Sequence, residues 1–168
     1  MLFTDLLRLT VLLAAGEATA LGAVGVVAAA RQDDTVTVLL AAGWWTIAVA
    51  IGLFLGRADR ASDGVAEVLI RARTTPQLPD TEPGRIALGR LWPLGAFAVV
   101  AAGVSWIWPQ VAVIGAGYAL LWALAWRARE AAVTGIEDRD GVRFYVEPTS
   151  AFEPIRLVRT PGLTREVG

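Results

Sequence analysis

The chain of 168 residues contains no cysteine, no histidine and no lysine, so its 15 basic residues are all arginine. Without cysteine it can form no disulfide, thiolate nucleophile or sulfur ligand for a metal. Without histidine it lacks the commonest metal ligand and the commonest general base near neutral pH. The formal net charge of −1 gives no indication of a nucleic-acid partner. We therefore expect no metal and no cofactor.

The chain also lacks the residues that enzymes acting inside a membrane require. An intramembrane aspartyl protease needs two aspartates within its spans, and the apolar runs of this chain contain none. Ser105 lies in such a run, but no histidine or lysine is present to activate its hydroxyl. No glycine-rich phosphate-binding loop is found either. The sequence therefore predicts a protein that is not an enzyme.

Long apolar runs dominate the sequence, since 55% of the residues are hydrophobic. A helix rises about 1.5 Å per residue, so about 20 residues cross the roughly 30 Å of hydrocarbon in a bilayer. The predicted spans cover residues 7–30, 36–55, 91–107 and 111–126. The sequence thus predicts an all-α membrane protein with a four-helix transmembrane domain over residues 1–134.

The first run has a competing interpretation as a secretory signal. The triplet Ala18-Thr19-Ala20 resembles a cleavage site. However, the apolar run continues for ten residues past Ala20, and cleavage there would leave a hydrophobic stump. A retained first span is the favoured interpretation.

The polar loop 57–90 separates the second and third spans. Apolar residues at helical intervals in its first half predict an amphipathic helix, which either extends the second span or lies on the membrane surface. Pro76, Pro79 and Pro83 then predict a linker.

The tail, residues 135–168, is predicted to begin with a helix C-cap at Gly135. Asp140 and Gly141 predict a turn before a strand that contains Phe144 and Tyr145. A second short strand follows. Because an isolated hairpin is marginal in water, we expect this β-prone tail to pack on the membrane domain or on a partner. Only one of Phe144 and Tyr145 should face that support, since neighbouring strand residues point to opposite faces.

Arginine counts predict the orientation. The loop 57–90 carries six arginines and the segment 127–168 carries seven, whereas the first loop carries one and the turn between the third and fourth spans has none. Short cytoplasmic loops are rich in basic residues, so both termini and the long loop are expected in the cytoplasm and the protein in the plasma membrane. Four tryptophans at span ends are predicted to be interface anchors: Trp92, Trp106, Trp108 and Trp126.

Glu17 is the acidic residue that lies well inside an apolar run, near the middle of the first span. An ionised carboxylate is costly there, so the group should be neutral, paired or facing water. Helix depth suggests Trp44, Trp45 and Thr46 of the second span as hydrogen-bonding partners, together with Thr19. Glu17 either binds a proton or cation during transport, or is a neutral contact between helices, or meets a separate subunit or a lipid.

Small residues recur at four-residue spacing in three of the spans. Such stripes allow helix backbones to approach closely in lipid. The stripes comprise Ala14, Ala18 and Gly22, then Ala48, Gly52 and Gly56, and finally Gly115, Ala119 and Ala123. They predict the packing of a helical bundle, and self-association into a homo-oligomer is a further option.

The tail segment GIEDRDGVRFYVEPTSAFEPIRLVRTPG resembles the C-terminal segment of small four-span membrane proteins from actinobacteria. The resemblance implies the same topology and carries no activity, cofactor or site residue. The expected function is non-enzymatic: a scaffold, accessory or assembly subunit that meets a membrane or cytosolic protein through loop 57–90 and tail 135–168. The alternative is a small oligomeric transporter or channel for protons or cations that uses Glu17.

Overall fold

The structure is a computed structural model that describes residues 1–74 and 82–161, apart from the side chains of residues 58–61, 63 and 67. Within these ranges the chain forms helices and three short strands. The elements are α1 Phe3–Arg31, α2 Thr35–Leu55, α3 Ala58–Ile70, β1 Arg73–Thr74, α4 Pro83–Val104, α5 Pro109–Trp126, α6 Arg129–Asp140, β2 Val142–Val146 and β3 Leu157–Pro161.

Four helical segments are long and apolar enough to cross a membrane. They are α1, α2, α4 and the continuous segment Pro109–Asp140 that contains α5 and α6. The prediction of a mostly helical chain with four such segments is confirmed. The all-α description is too simple, however, because β1, β2 and β3 form a three-stranded sheet.

Helix boundaries differ from the predicted ones at several points. α1 already begins at Phe3, and α4 begins at Pro83, which occupies its first turn, where proline is well tolerated. The prediction that Gly135 caps a helix is wrong, since Gly135 lies inside α6. Gly141 ends that helix instead, with φ at 61°, a left-handed conformation that glycine adopts easily. The rest of the predicted proline linker, with Pro76 and Pro79, lies outside the described residues.

α5 packs against both α1 and α2 and also contacts α4. Its approach to α1 and α2 depends on glycines. A Cβ added to Gly25 would lie 2.9 Å from Val113 Cγ2, and one added to Gly52 would lie 2.8 Å from Leu124 Cβ. Of the small-residue stripes, Ala18 is half-buried and the other members are buried. These side chains therefore lie where the helices meet.

At one end of the four segments the chain forms a folded unit, which we call the cap: residues 1–7, α3, α6, the three strands and the loop between β2 and β3. In its sheet the order is β1-β3-β2, with β1 parallel and β2 antiparallel to β3. Leu2 pairs with Tyr145, and the Val146 N–H donates to the Met1 carbonyl over 3.0 Å. The chain segment that precedes α1 therefore continues the sheet beyond β2.

The cap has its own hydrophobic core, to which α1, α3, α4, α6, β2 and β3 contribute. The buried members are Phe3, Leu6, Leu7, Val65, Leu69, Ile86, Val133, Val142, Phe144, Val146 and Leu157. The prediction that the tail hairpin packs on the helical domain is confirmed by this core. Phe144 is buried and Tyr145 is half-buried, as the alternation of strand side chains predicts.

Candidate functional site

Glu17 lies half-buried along the middle of α1 and borders a groove between α1, α4 and α5. The groove has a volume of about 450 Å³ and is lined mainly by apolar and aromatic side chains. Thr10 and Tyr118 are its other polar residues. Because Tyr118 and Trp122 are each 52% exposed, the groove opens on the outer surface of the helices.

The indoles of Trp44 and Trp45 do not donate to Glu17, so that prediction is wrong. Trp44 Nε1 donates to the Ile114 carbonyl over 3.2 Å, and Trp45 Nε1 donates to the Val113 carbonyl over 2.9 Å. Each indole has a single N–H, and both are used on the backbone of α5. The positions of the two tryptophans along α2 predict a depth close to that of Glu17. Depth alone does not determine which neighbouring helix their side chains face.

The threonine candidates likewise form bonds within their own helices. Thr46 Oγ1 donates to the Ala42 carbonyl over 2.8 Å, and Thr19 Oγ1 donates to the Ala15 carbonyl over 2.9 Å. Trp45 and Thr19 line a different groove, of about 600 Å³, on another side of α1. The structure thus does not bring Trp44, Trp45 and Thr46 together with Glu17 into one polar site.

Two of the four predicted anchor tryptophans lie at each end of the helical segments. Trp106 and Trp108 lie at the turn between α4 and α5 and are mostly exposed. Trp92 packs edge-on against Phe152 of the cap, with ring centroids 6.0 Å apart, and Trp126 packs in the same way against Trp122 at 5.3 Å. This arrangement suits anchoring at two membrane surfaces, which stays a prediction.

A polar cluster that the sequence analysis missed joins the α1–α2 turn to α5. Asp34 caps α2 by accepting hydrogen bonds from the backbone and hydroxyl of Thr37, and these bonds lower the pKa of the Asp34 carboxyl. Gln110 Nε2 donates to Thr37 Oγ1 over 3.0 Å and to Asp34 Oδ2 over 3.3 Å. The spacing of Asp34 and Thr37 at the start of an apolar run is the signal that could have revealed this cap.

Glu137 belongs to a run of charged residues that is typical of a solvated surface, but the structure buries it. Its side chain is 1% exposed, and it accepts hydrogen bonds from the Phe144 N–H over 2.9 Å and from Arg143 Nη1 over 2.8 Å. The bond to Glu137 raises the pKa of the Arg143 guanidinium. Glu137 follows buried Val133 by four residues, which places both on the inner face of α6.

A second cavity, of about 320 Å³, lies between the cap and the helices. Arg90 of α4 and Arg129 of α6 contribute its charged groups, and Trp126 and Thr10 border it as well as the Glu17 groove. Among the described residues, no three histidine, cysteine, aspartate or glutamate side chains come together in a way that could hold a metal.

Comparison of the chain with protein-family models, with curated proteins and with solved structures finds no match. The resemblance of the tail to small four-span membrane proteins therefore stays a prediction.

Proposed function

We propose that the chain is a non-enzymatic protein of the plasma membrane, a scaffold, accessory or assembly subunit whose cap binds a protein partner. The observation that carries the proposal is the cap itself. The cap has a hydrophobic core of its own, and this core includes residues from the first turns of α1 and α4. A partner that binds the cap would thus be held against the ends of the membrane helices.

The proposed orientation has both termini and the cap in the cytoplasm. α3 and α6 contact each other, and both belong to the cap with β2 and β3. The arginine-rich loop and tail thus lie at one end of the helices, and the arginine-poor turns at the other. Such an asymmetry is typical of cytoplasmic placement.

The surface of the cap suits a charged protein partner better than an apolar one. Asp138, Arg139 and Arg143 are exposed side by side around the end of α6, where Arg139 pairs with Asp140 over 2.8 Å. Pairs of this kind contribute little to stability because water screens them. They remain free to exchange partners when a complementary charged surface binds.

Binding of the partner protein is expected to require a folded cap. Purification of the full chain in mild detergent, followed by mass measurement of the complex, should give a stoichiometric second protein. The substitution Phe144→Asp, which removes a buried cap residue, should abolish this association, and Tyr145→Asp should preserve it. A clean homo-oligomer without a second protein would contradict the scaffold proposal.

Transport through Glu17 is the second candidate, favoured by the carboxyl group that borders the groove between α1, α4 and α5. The groove offers an ion few polar ligands and opens sideways at Tyr118 and Trp122, which makes it a poor ion path.

We expect no proton or cation flux in liposomes that contain the wild-type protein at several pH values. Glu17→Gln should also leave folding unchanged, because glutamine keeps the shape and hydrogen-bonding ability of the side chain. Glu17→Leu should cost about 0.6–2 kcal/mol of helix association if the group has a polar partner. A pH-dependent flux that Glu17→Gln abolishes would instead establish transport.

A further inference from the structure

The cavity between the cap and the helices combines two positive charges with an apolar wall. Arg90 Nη1 donates to Thr149 Oγ1 and, over 3.4 Å, to the Ser150 carbonyl, while Nη2 donates to the Glu153 carbonyl over 3.3 Å. All of these acceptors are uncharged. The carboxylate of Glu153 acts on Arg90 only through its electrostatic field. None of these contacts neutralises the charge of Arg90, and they leave its Nε–H and one Nη2 hydrogen unused.

Arg129 is held differently. Its guanidinium lies 4.1 Å from the ring centroid of Trp126, and within the described part of the chain it forms no salt bridge. A guanidinium over an indole is attracted to the face of the ring and can still donate its N–H groups to an anion. Two half-buried guanidinium groups in one cavity are a suitable site for a phosphate-bearing anion.

The cavity also adjoins the apolar groove. Thr10 and Trp126 line both spaces. From Thr10 the groove follows α1 as far as Glu17, seven residues or about 10 Å along the helix. Leu94, Phe97 and Ala119 belong to its walls. An arginine-bearing cavity at the end of the helices thus adjoins an apolar groove that reaches towards the middle of the first span.

We propose that these two adjoining spaces together bind one anionic phospholipid from the leaflet on the cap side. The phosphate lies between Arg90 and Arg129, and an acyl chain lies in the groove towards Glu17. Basic pockets between membrane helices bind anionic headgroups in this way. A free phosphate would use only the arginine-bearing cavity, whereas a lipid uses both spaces. The proposal does not depend on the scaffold role, because the site involves none of the exposed charges assigned to a protein partner.

Native mass spectrometry of the full chain in mild detergent, titrated with phosphatidylglycerol or phosphatidylcholine, tests this site. We expect one phosphatidylglycerol to be retained in preference to phosphatidylcholine. Arg129→Gln should weaken its binding about fivefold, as expected for one basic group at an anionic headgroup. Arg129→Lys should restore part of the affinity because it keeps the charge.

Arg57→Gln is the matched control. Arg57 also stacks on an aromatic ring, with its guanidinium carbon 4.9 Å from the ring centroid of Phe54, but it does not line the cavity. This variant should bind the lipid like the wild type. Resistance of the cap to protease verifies that each variant is folded.

Three outcomes would overturn the proposal. They are equal retention of the two lipids, equal losses for Arg57→Gln and Arg129→Gln, and displacement of the lipid by inorganic phosphate at similar concentration. The last result would identify a site for free phosphate and would show that the acyl chain does not contribute to binding.

Discussion

Phe144→Asp is expected to unfold the cap, and Tyr145→Asp is expected to leave it folded. Phe144 is 3% exposed in the core that joins β2 to α1 and α6. Removal of a buried phenylalanine side chain costs about 3–5 kcal/mol, and a carboxylate in its place adds a desolvation penalty. Tyr145 lies on the opposite face of β2 and is half-buried, so its substitution changes the surface more than the core.

Protease sensitivity measures this difference. In membrane vesicles whose cytoplasmic face points outwards, the tail of Phe144→Asp should be cleaved at least tenfold faster than that of the wild type, while Tyr145→Asp should resemble the wild type. In sealed vesicles of the opposite orientation neither tail should be cleaved. Equal cleavage of both variants would contradict the docking of β2. Cleavage of the tail from the external side would contradict the proposed orientation.

Gly52→Val is expected to separate α2 from α5. A Cβ at this position would lie 2.8 Å from Leu124 Cβ and 3.0 Å from the Leu121 carbonyl oxygen. The second of these neighbours belongs to a helix backbone, which cannot move aside as a flexible side chain can. Overpacking of this kind costs about 1–3 kcal/mol. The midpoint of unfolding by sodium dodecyl sulfate should therefore fall.

Gly43→Val provides the matched control on the same helix. Gly43 is exposed, and a Cβ there would meet no atom within 4 Å. Both variants change the helix propensity of α2 in the same way, so the difference between their midpoints isolates packing against α5. If the two midpoints were equal, the close contact at Gly52 would not contribute to stability.

The four long apolar helices were predictable because apolar runs of this length favour a helix that can cross a bilayer. The partners of individual side chains were not predictable in the same way. Residue spacing gives the depth of Trp44 and Trp45 but not the direction in which they point. The position of α5, between α1 and α2, turned both indoles towards its carbonyls and away from Glu17.

The cap shows a second limit of sequence patterns. β2 and β3 were predictable from composition. β1 was not, since it consists only of Arg73 and Thr74 and forms through pairing with β3. Glu137 looked like a surface charge because its neighbours in sequence are charged. Its burial depends on the Phe144 N–H and Arg143, which reach it only after the turn at Gly141 has formed.

The shared core of residues 1–7 and the tail strands has a consequence for biosynthesis. Phe3, Leu6 and Leu7 pack with Phe144, Val146 and Leu157, and all four candidate spans are translated between these two groups. The ribosome must therefore deliver every span before the cap can close. Until then the apolar side chains at the start of α1 lack their partners, and the nascent chain exposes a surface that chaperones recognise. Closure of the cap is therefore a step that can follow, and never precede, synthesis of the last candidate span.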